Sequence, residues 1–505
     1  MTTVLPPQGH DRISIRLEEE SGSESFSAPT PGPASIFVLL IAIAVGLASA
    51  FVFQLASPDT PIVILGGTLL VAAILGFVGL FRYEWFLLIT LAVRPSLDDL
   101  IADQFGTFQP SAILGILAIG VTFLHLISRR FTGNWNKLTP LGFAYIAFFV
   151  GFLPGFLTSV DRGVSQSALF GLASVVLLYL ALEQQMHEDG TFLFKLLIAS
   201  AIGMIVPIVT GFVQFFFTGT LDPGGSGLVR IDGSFAHPNT FATYLVFVVL
   251  IAIGVIPTMP VKHKLAVITI ASLGGFLLIA TFARGAWASF LIGTLLLAAR
   301  INKKLVFVIM GGAAAVGVGV PGVRSRIDNL FATTGPNGGA KTDDSIGWRI
   351  GYWDELWGRF STTRPLTGIG IDATKTQTLA AKDPHNSFLQ AYLEGGIIGF
   401  AGFMAVLGLA GYASWKTWQK ARRGELVRRT QLIAVGAIAA LFSVFAQLVT
   451  ENVLLNTIVW WYLNIAMAFL AVLTWGKKRE QILSEPQFET LALPTGDLQS
   501  SGSQS

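Results

Sequence analysis

The sequence predicts an all-α, polytopic integral membrane protein with about fourteen hydrophobic spans and one large outer-face loop containing short helices. Three observations carry this. Apolar runs of about 20 residues, the length that crosses a hydrocarbon core, recur from residue 35 to residue 475. The chain is 52% hydrophobic and only 12% charged, against about 25% charged residues in a soluble domain. Lysine and arginine also collect in short connections that fall on one side when the runs are counted in alternation.

Taken in order, residues 1–34 are polar, with Glu18, Glu19, Glu20 and Glu24 ahead of a Ser/Pro-rich stretch. They read as a disordered cytoplasmic tail, without the short apolar core and cleavage site of a signal peptide. Spans are expected at roughly 35–54, 61–81, 84–94, 110–128, 138–157, 164–182, 191–217, 238–257, 263–282, 285–300, 304–321, 386–415, 430–450 and 454–475. The third is short for a complete crossing. Residues 35–475 thus form the membrane domain, with the large loop at 322–385. Residues 476–505 form a second cytoplasmic tail.

Orientation follows from the connections. Arg129, Arg130 and Lys137 share one face with Lys262 and Lys264, with Arg300, Lys303 and Lys304, with the cluster from Lys416 to Arg429, and with Lys477, Lys478 and Arg479. That face is expected to be cytoplasmic, with both termini inside. A net charge of +3 gives no case for nucleic acid as a partner. The absence of cysteine excludes disulfides and thiolate chemistry.

The opposite face carries the acidic loop with Asp98, Asp99 and Asp103, and five polar groups that matter more. Arg230 to Asn239 closes a loop made pliable by Gly224, Gly225 and Gly227, and Pro238 suits a first helical turn. His237 and Asn239 then stand at a helix mouth. Arg284 lies between two apolar runs with almost no loop, where a charge is costly and is usually paired or functional. Its planar fork suits a diphosphate. Trp348, Arg349, Tyr352, Trp353 and Trp357 fall at helical spacing after Asp344 and Ser345, which can cap a helix start. This reads as an interfacial helix, its aromatics serving as anchors or as faces for sugars. Arg364 to Gly370 supplies a turn whose glycines allow close backbone approach. His385 and Asn386 open the next span, with Glu394 turned away from the face of His385.

These pieces, Arg230-x-x-Gly233 with His237-Pro-Asn239, Ala283-Arg-Gly285, Arg349-x-x-x-Trp353, Pro365-Leu-x-Gly-x-Gly370, and His385-Asn386 with Gly396 and Gly399, resemble in their order the O-antigen ligase and O-antigen (exopolysaccharide) polymerase superfamily of membrane glycosyltransferases. The resemblance covers about residues 200–415. It implies an enzyme of the inner (plasma) membrane, working on the periplasmic or exterior face. Such an enzyme moves a glycan from a polyprenyl-diphosphate carrier to a glycan or glycolipid acceptor hydroxyl, with no metal or other cofactor. His385, Arg284 and Arg349 are then the expected catalytic residues. Arg230, His237, Asn239, Trp353 and Asn386 are the expected substrate-binding ones. The adjacent Asp343-Asp344 reads as a helix cap rather than a metal site.

A polymerase of an extracellular polysaccharide is the preferred expectation, because the chain shows about two more spans than a compact ligase. A ligase acting on lipid A–core is the alternative. A lipid-linked glycan transporter or flippase is expected instead to place charges at mid-membrane and to show a repeat. Here the ionisable residues crowd the helix mouths, and Lys195, near an inner end, can snorkel.

Overall fold

The structure is a computed structural model that describes residues 61–97, 110–218, 220–221, 229–328, 346–378 and 382–476. The expected tails, the span at 35–54, the acidic loop at Asp98, Asp99 and Asp103, the glycines Gly224, Gly225 and Gly227, and the cap at Asp344 and Ser345 lie outside the described residues, apart from Gly476.

The described residues are helical apart from one short antiparallel pair. The order is α1 Pro61–Phe81, α2 Tyr83–Val93, α3 Pro110–Phe131, α4 Pro140–Leu157, α5 Arg162–Glu188, α6 Phe192–Gly203 and α7 Ile205–Val213. Then come β1 Thr220–Leu221 and β2 Val229–Arg230, paired antiparallel. The chain continues with α8 Pro238–Val255, α9 Val261–Ala280, α10 Arg284–Ile301, α11 Lys303–Gly319, α12 Pro321–Asp328 and α13 Ile346–Phe360. It ends with α14 Ser387–Arg422, α15 Arg428–Gln447 and α16 Thr457–Trp475.

Among the described residues, nine helices are long and apolar enough to cross a membrane. The expected run at 35–54 lies outside the described residues, and three of the other expected runs fall short of a full crossing for physical reasons. Helix α2 has 11 residues, which at about 1.5 Å per residue is half a crossing. Helix α10 carries Arg284 at its start and Arg300 in its last turn. In α11 the apolar part is only Val306–Gly319.

Connectivity sorts the helix ends onto two sides. At one end Arg129 pairs with Glu188, Arg300 Nη2 donates to the Ala421 carbonyl at 3.1 Å, and Lys420 Nζ donates to the Leu473 carbonyl at 2.7 Å. The basic connections therefore gather at one end of the bundle. Lys195 does not reach for lipid; it pairs with Glu84 at 2.5 Å and with Asp189 at 3.1 Å.

Helix α16 is the axis, with 94% of its apolar window buried. Asn464 sits within it, accepts a hydrogen bond from the Tyr145 hydroxyl at 2.5 Å and donates to the Val175 carbonyl at 2.7 Å. In lipid the hydrophobic effect does not drive helix against helix, so close packing and buried polar pairs carry the association. Gly254 and Gly436 supply that closeness between α8 and α15, and Gly151 and Gly402 supply it between α4 and α14.

The polar segment after α13 is clamped into a break in α14. Gly396 has φ 61°, outside helical geometry. The groups freed there are taken up by the preceding turn. Ile397 N–H donates to Pro365 O at 2.8 Å, Ile369 N–H to Leu393 O at 3.0 Å, and Gly370 N–H to Glu394 O at 3.2 Å. The expected close approach at Gly368 and Gly370 is real: a Cβ on Gly368 would collide with the Glu394 carbonyl. Gly368→Ala combines that collision with φ +75°, whereas Gly133, at φ +77°, has open space around it. Thermal unfolding in detergent should show a loss of about 1 kcal/mol for Gly133→Ala and of at least about 3 kcal/mol for Gly368→Ala. Equal losses at the two positions would count against the clamp.

Candidate functional site

The end of the bundle opposite the basic connections brings together five segments: β2 with the start of α8, the start of α10, helix α13, the start of α14, and the connection between α15 and α16. Their meeting point is Glu451, in that last connection and 8% exposed.

Each segment arrives by its own local logic. His237 precedes Pro238 and caps α8, its Nδ1 accepting the Asn239 N–H at 3.0 Å. This sets Asn239 in the first turn. Asn239 then bridges two charges: Arg230 Nη2 donates to its Oδ1 at 2.7 Å, and its Nδ2 donates to Glu451 Oε2 at 2.9 Å. Arg230 is buried and is fixed further by Nε donation to the Thr281 carbonyl at 3.0 Å. One turn along α8, Thr243 Oγ1 donates to Gln447 Oε1 at 2.7 Å, and Gln447 Nε2 donates to Ser289 Oγ at 2.8 Å. This ties α8, α15 and α10 together just below Glu451.

Arg284 is the first residue of α10 and is half-buried. The next residue, Gly285, lies against Glu451. A Cβ there would stand 3.2 Å from Thr450 Oγ1 and 3.5 Å from Glu451 Oε1. Helix α13 delivers Arg349. Its Nη1 donates to the Thr450 carbonyl and lies 3.6 Å from Glu451 Oε1.

His385 stands just before α14, with its Nδ1 3.9 Å from Glu451 Oε2. Its backbone has φ 50°, a left-handed value that a non-glycine residue rarely takes. Anchors on both sides hold that conformation. Upstream, Trp353 Nε1 donates to the Pro384 carbonyl at 2.6 Å. Downstream, Asn386 Oδ1 caps α14 by accepting the N–H groups of Phe388 and Leu389, both at 3.0 Å. Ser387 N–H donates to the Leu448 carbonyl at 2.8 Å, and Ser387 Oγ donates to the Glu451 carbonyl at 2.9 Å. Backbone held against its preference by surrounding contacts is a recurring feature of functional sites.

The structure therefore brings Arg349, His385, Asn239 and, through Asn239, Arg230 to one carboxylate, with the helix start that carries Arg284 beside it. His237 and Asn386 serve here as helix caps, and Trp353 as a strut for the strand that carries His385. The aromatics of α13 pack largely on their own neighbours. Trp348 stacks on Tyr352 with centroids 5.0 Å apart, and Trp357 stacks on Tyr392 at 5.3 Å.

The residues expected to carry function do not include Glu451. The signal was there: a carboxylate in a very short connection between two apolar helices. Glu394 does point away from His385, as its helical spacing requires. It is fully buried and accepts the Asp372 N–H at 2.7 Å and the Thr374 hydroxyl at 2.5 Å.

A second acidic group lies directly upstream of His385. Asp372, at φ 60°, pairs with Lys375 at 2.5 Å and shares a hydrogen bond with Asp383. Burial raises the Asp372 carboxyl to about 6 against the pull of Lys375, and burial also raises Asp383. Because the folded carboxyl is raised, its contribution to holding this strap is complete below the unfolded value near 4 and is lost as pH rises through about 6. Hydrogen-exchange protection of residues 371–378 should thus fall between about pH 4 and pH 6. Asp372→Asn should flatten that profile; an unchanged profile would show that another group governs the strap.

Residues 267–404 match the model of a family described as O-antigen ligase. This stretch of the chain is therefore similar to the O-antigen ligase family. The matched stretch contains Arg284, Arg349, His385 and the clamp at Gly396, whereas Arg230, Asn239 and Glu451 lie outside it. No curated protein matches the chain. The chain is an integral membrane protein in which residues 267–404 resemble a glycosyltransferase-type family.

Proposed function

We infer that the protein moves a glycan from a polyprenyl-diphosphate carrier to a sugar hydroxyl on the outer face of the inner (plasma) membrane. The observation that carries this reading is the convergence of Arg349 and His385 on Glu451, beside the start of α10 with Arg284. It lies at the end of the bundle away from the basic connections, which the positive-inside rule assigns to the cytoplasm.

In this reading the acceptor hydroxyl oxygen attacks the anomeric carbon of the donor sugar. The bond from that carbon to the diphosphate oxygen breaks, and the polyprenyl diphosphate leaves with the electron pair. Its growing negative charge is met by Arg284 and Arg349, whose forks suit paired phosphate oxygens. The hydroxyl proton passes to neutral His385, a base suited to pH near 7. Arg230 and Asn239 steady the wall opposite α13.

The acceptor we propose is a second carrier-linked glycan, which makes the enzyme a polymerase. Transfer to lipid A–core is the second reading, favoured by the family description itself. A transport role fits less well, because the charged groups gather at one mouth of the bundle.

Purified protein given a carrier-linked oligosaccharide should lengthen it without lipid A–core. His385→Ala should slow transfer by about 10²–10⁴-fold, and Arg349→Ala by about 10²–10³-fold. Product formed only when lipid A–core is supplied would turn the assignment to a ligase. Full transfer by His385→Ala would remove that residue from the mechanism.

Orientation has its own test, made clean by the lack of native cysteine. In intact spheroplasts a membrane-impermeant maleimide should label Thr362→Cys and spare Arg423→Cys. The reverse pattern would put the site in the cytoplasm and rule out an outer-face reaction.

A further inference from the structure

Glu451 raises a problem that the reaction above does not use. A guanidinium and an imidazole, with Arg230 joined through Asn239, converge on a place where a diphosphate is to bind, yet a carboxylate already occupies the middle of it. Asn239 holds that carboxylate: Oε2 accepts from Asn239 Nδ2 at 2.9 Å. The same Oε2 lies 3.9 Å from His385 Nδ1, and Oε1 lies 3.6 Å from Arg349 Nη1. Both gaps exceed a hydrogen bond, which spans about 2.7–3.2 Å for N–H···O. Both are nevertheless close enough for strong attraction at a site where the Glu451 side chain is 11% and the Arg349 side chain 12% exposed. The carboxylate thus stands between a cation and a base, with a shift of under about 1 Å separating it from a direct bond to either.

We propose that Glu451 is an internal stand-in for the donor diphosphate, and that donor binding hands it over to His385. Without donor, Glu451 neutralises Arg349, which buried without a counter-charge would be costly. When the diphosphate takes Arg349, Glu451 turns to the Nδ1–H of His385. That bond fixes the imidazole tautomer, leaves the Nε2 lone pair towards the acceptor hydroxyl, and raises its basicity. The base is therefore switched on only when there is a donor to react. Glu451 is a positioning residue in this scheme. The inference rests on the polyprenyl-diphosphate reading given above.

Among the described residues, charged and titratable groups reach the neighbourhood of His385 from several elements, Lys382 on its own approach strand included. Glu451 faces it from the α15–α16 connection. Arg349 comes from α13 and Arg284 from the start of α10. Asp383, with its partners Asp372 and Lys375, lies on the approach strand. Replacing Glu451 by glutamine keeps the side-chain shape and the Asn239 contact, and removes only the charge.

The experiment uses the full chain in nanodiscs, with polyprenyl diphosphate as the probe. Binding is measured directly, and His385 is titrated by NMR with labelled histidine, its signal assigned by its loss in His385→Ala. Glu451→Gln should bind the probe about 3–10-fold more tightly, because the competing anion is gone. In the probe-bound state its His385 should titrate about one unit lower than in the wild type. Glu451→Asp should return both values towards wild type. If Glu451→Gln fails to fold, Arg349→Gln asks the same question from the other side. It releases Glu451 without donor, so His385 should already titrate higher in the unliganded protein.

Unchanged affinity and unchanged His385 titration in Glu451→Gln would overturn the proposal, as would an unmoved His385 in Arg349→Gln. Failure of the wild type to bind polyprenyl diphosphate at all is a different result. It removes the donor reading, and this inference with it.

Discussion

One carboxylate, Glu451, is the constraint around which this end of the molecule is arranged. It lies in a short connection between α15 and α16, which are among the most buried helices of the bundle. Asn239 from α8 bonds to it, Arg349 from α13 and His385 from the start of α14 lie within 4.0 Å of it, and Gly285 from α10 packs against it. A buried charge is tolerated only where its surroundings compensate it. Fixing Glu451 therefore fixes the relative positions of segments more than 200 residues apart in the chain.

That arrangement needs a rigid floor and a held lid. The floor is the polar triad of Thr243, Gln447 and Ser289, which locks three helices together one turn below the site. The lid is α13 with the strand to His385. It is held by three different devices: the broken helix at Gly396, the Trp353 strut, and the buried Glu394 that receives the turn at Asp372 and Thr374. None of these groups has to touch a substrate to matter. Each restricts where Arg349 and His385 can stand, and chemistry at a diphosphate depends on such placement.

The candidate site was legible in the sequence where polarity contradicts its surroundings. Arg284 between two apolar runs, and Arg349 and His385 around a polar island, stand out because lipid penalises charge. The clamp was legible too, because Gly368 and Gly370 announce a close approach. Glu451 was harder to see. A single acidic residue near a helix end looks like an ordinary interfacial group until its partners arrive from elsewhere. Trp353 has a structural part that its position in a polar loop does not announce: its ring nitrogen serves as a strut to Pro384.

By itself the sequence determined the all-helical membrane architecture, the face on which basic residues gather, and the family that the central stretch resembles. All three follow from local chemistry: apolar length, charge in short connections, and motif order. Only the tertiary structure decided that Glu451 is the common neighbour of Arg349 and His385, and that Gly396 breaks its helix to receive a turn. Those outcomes depend on which distant backbone and side-chain groups satisfy one another, and periodicity along a single chain carries no record of that.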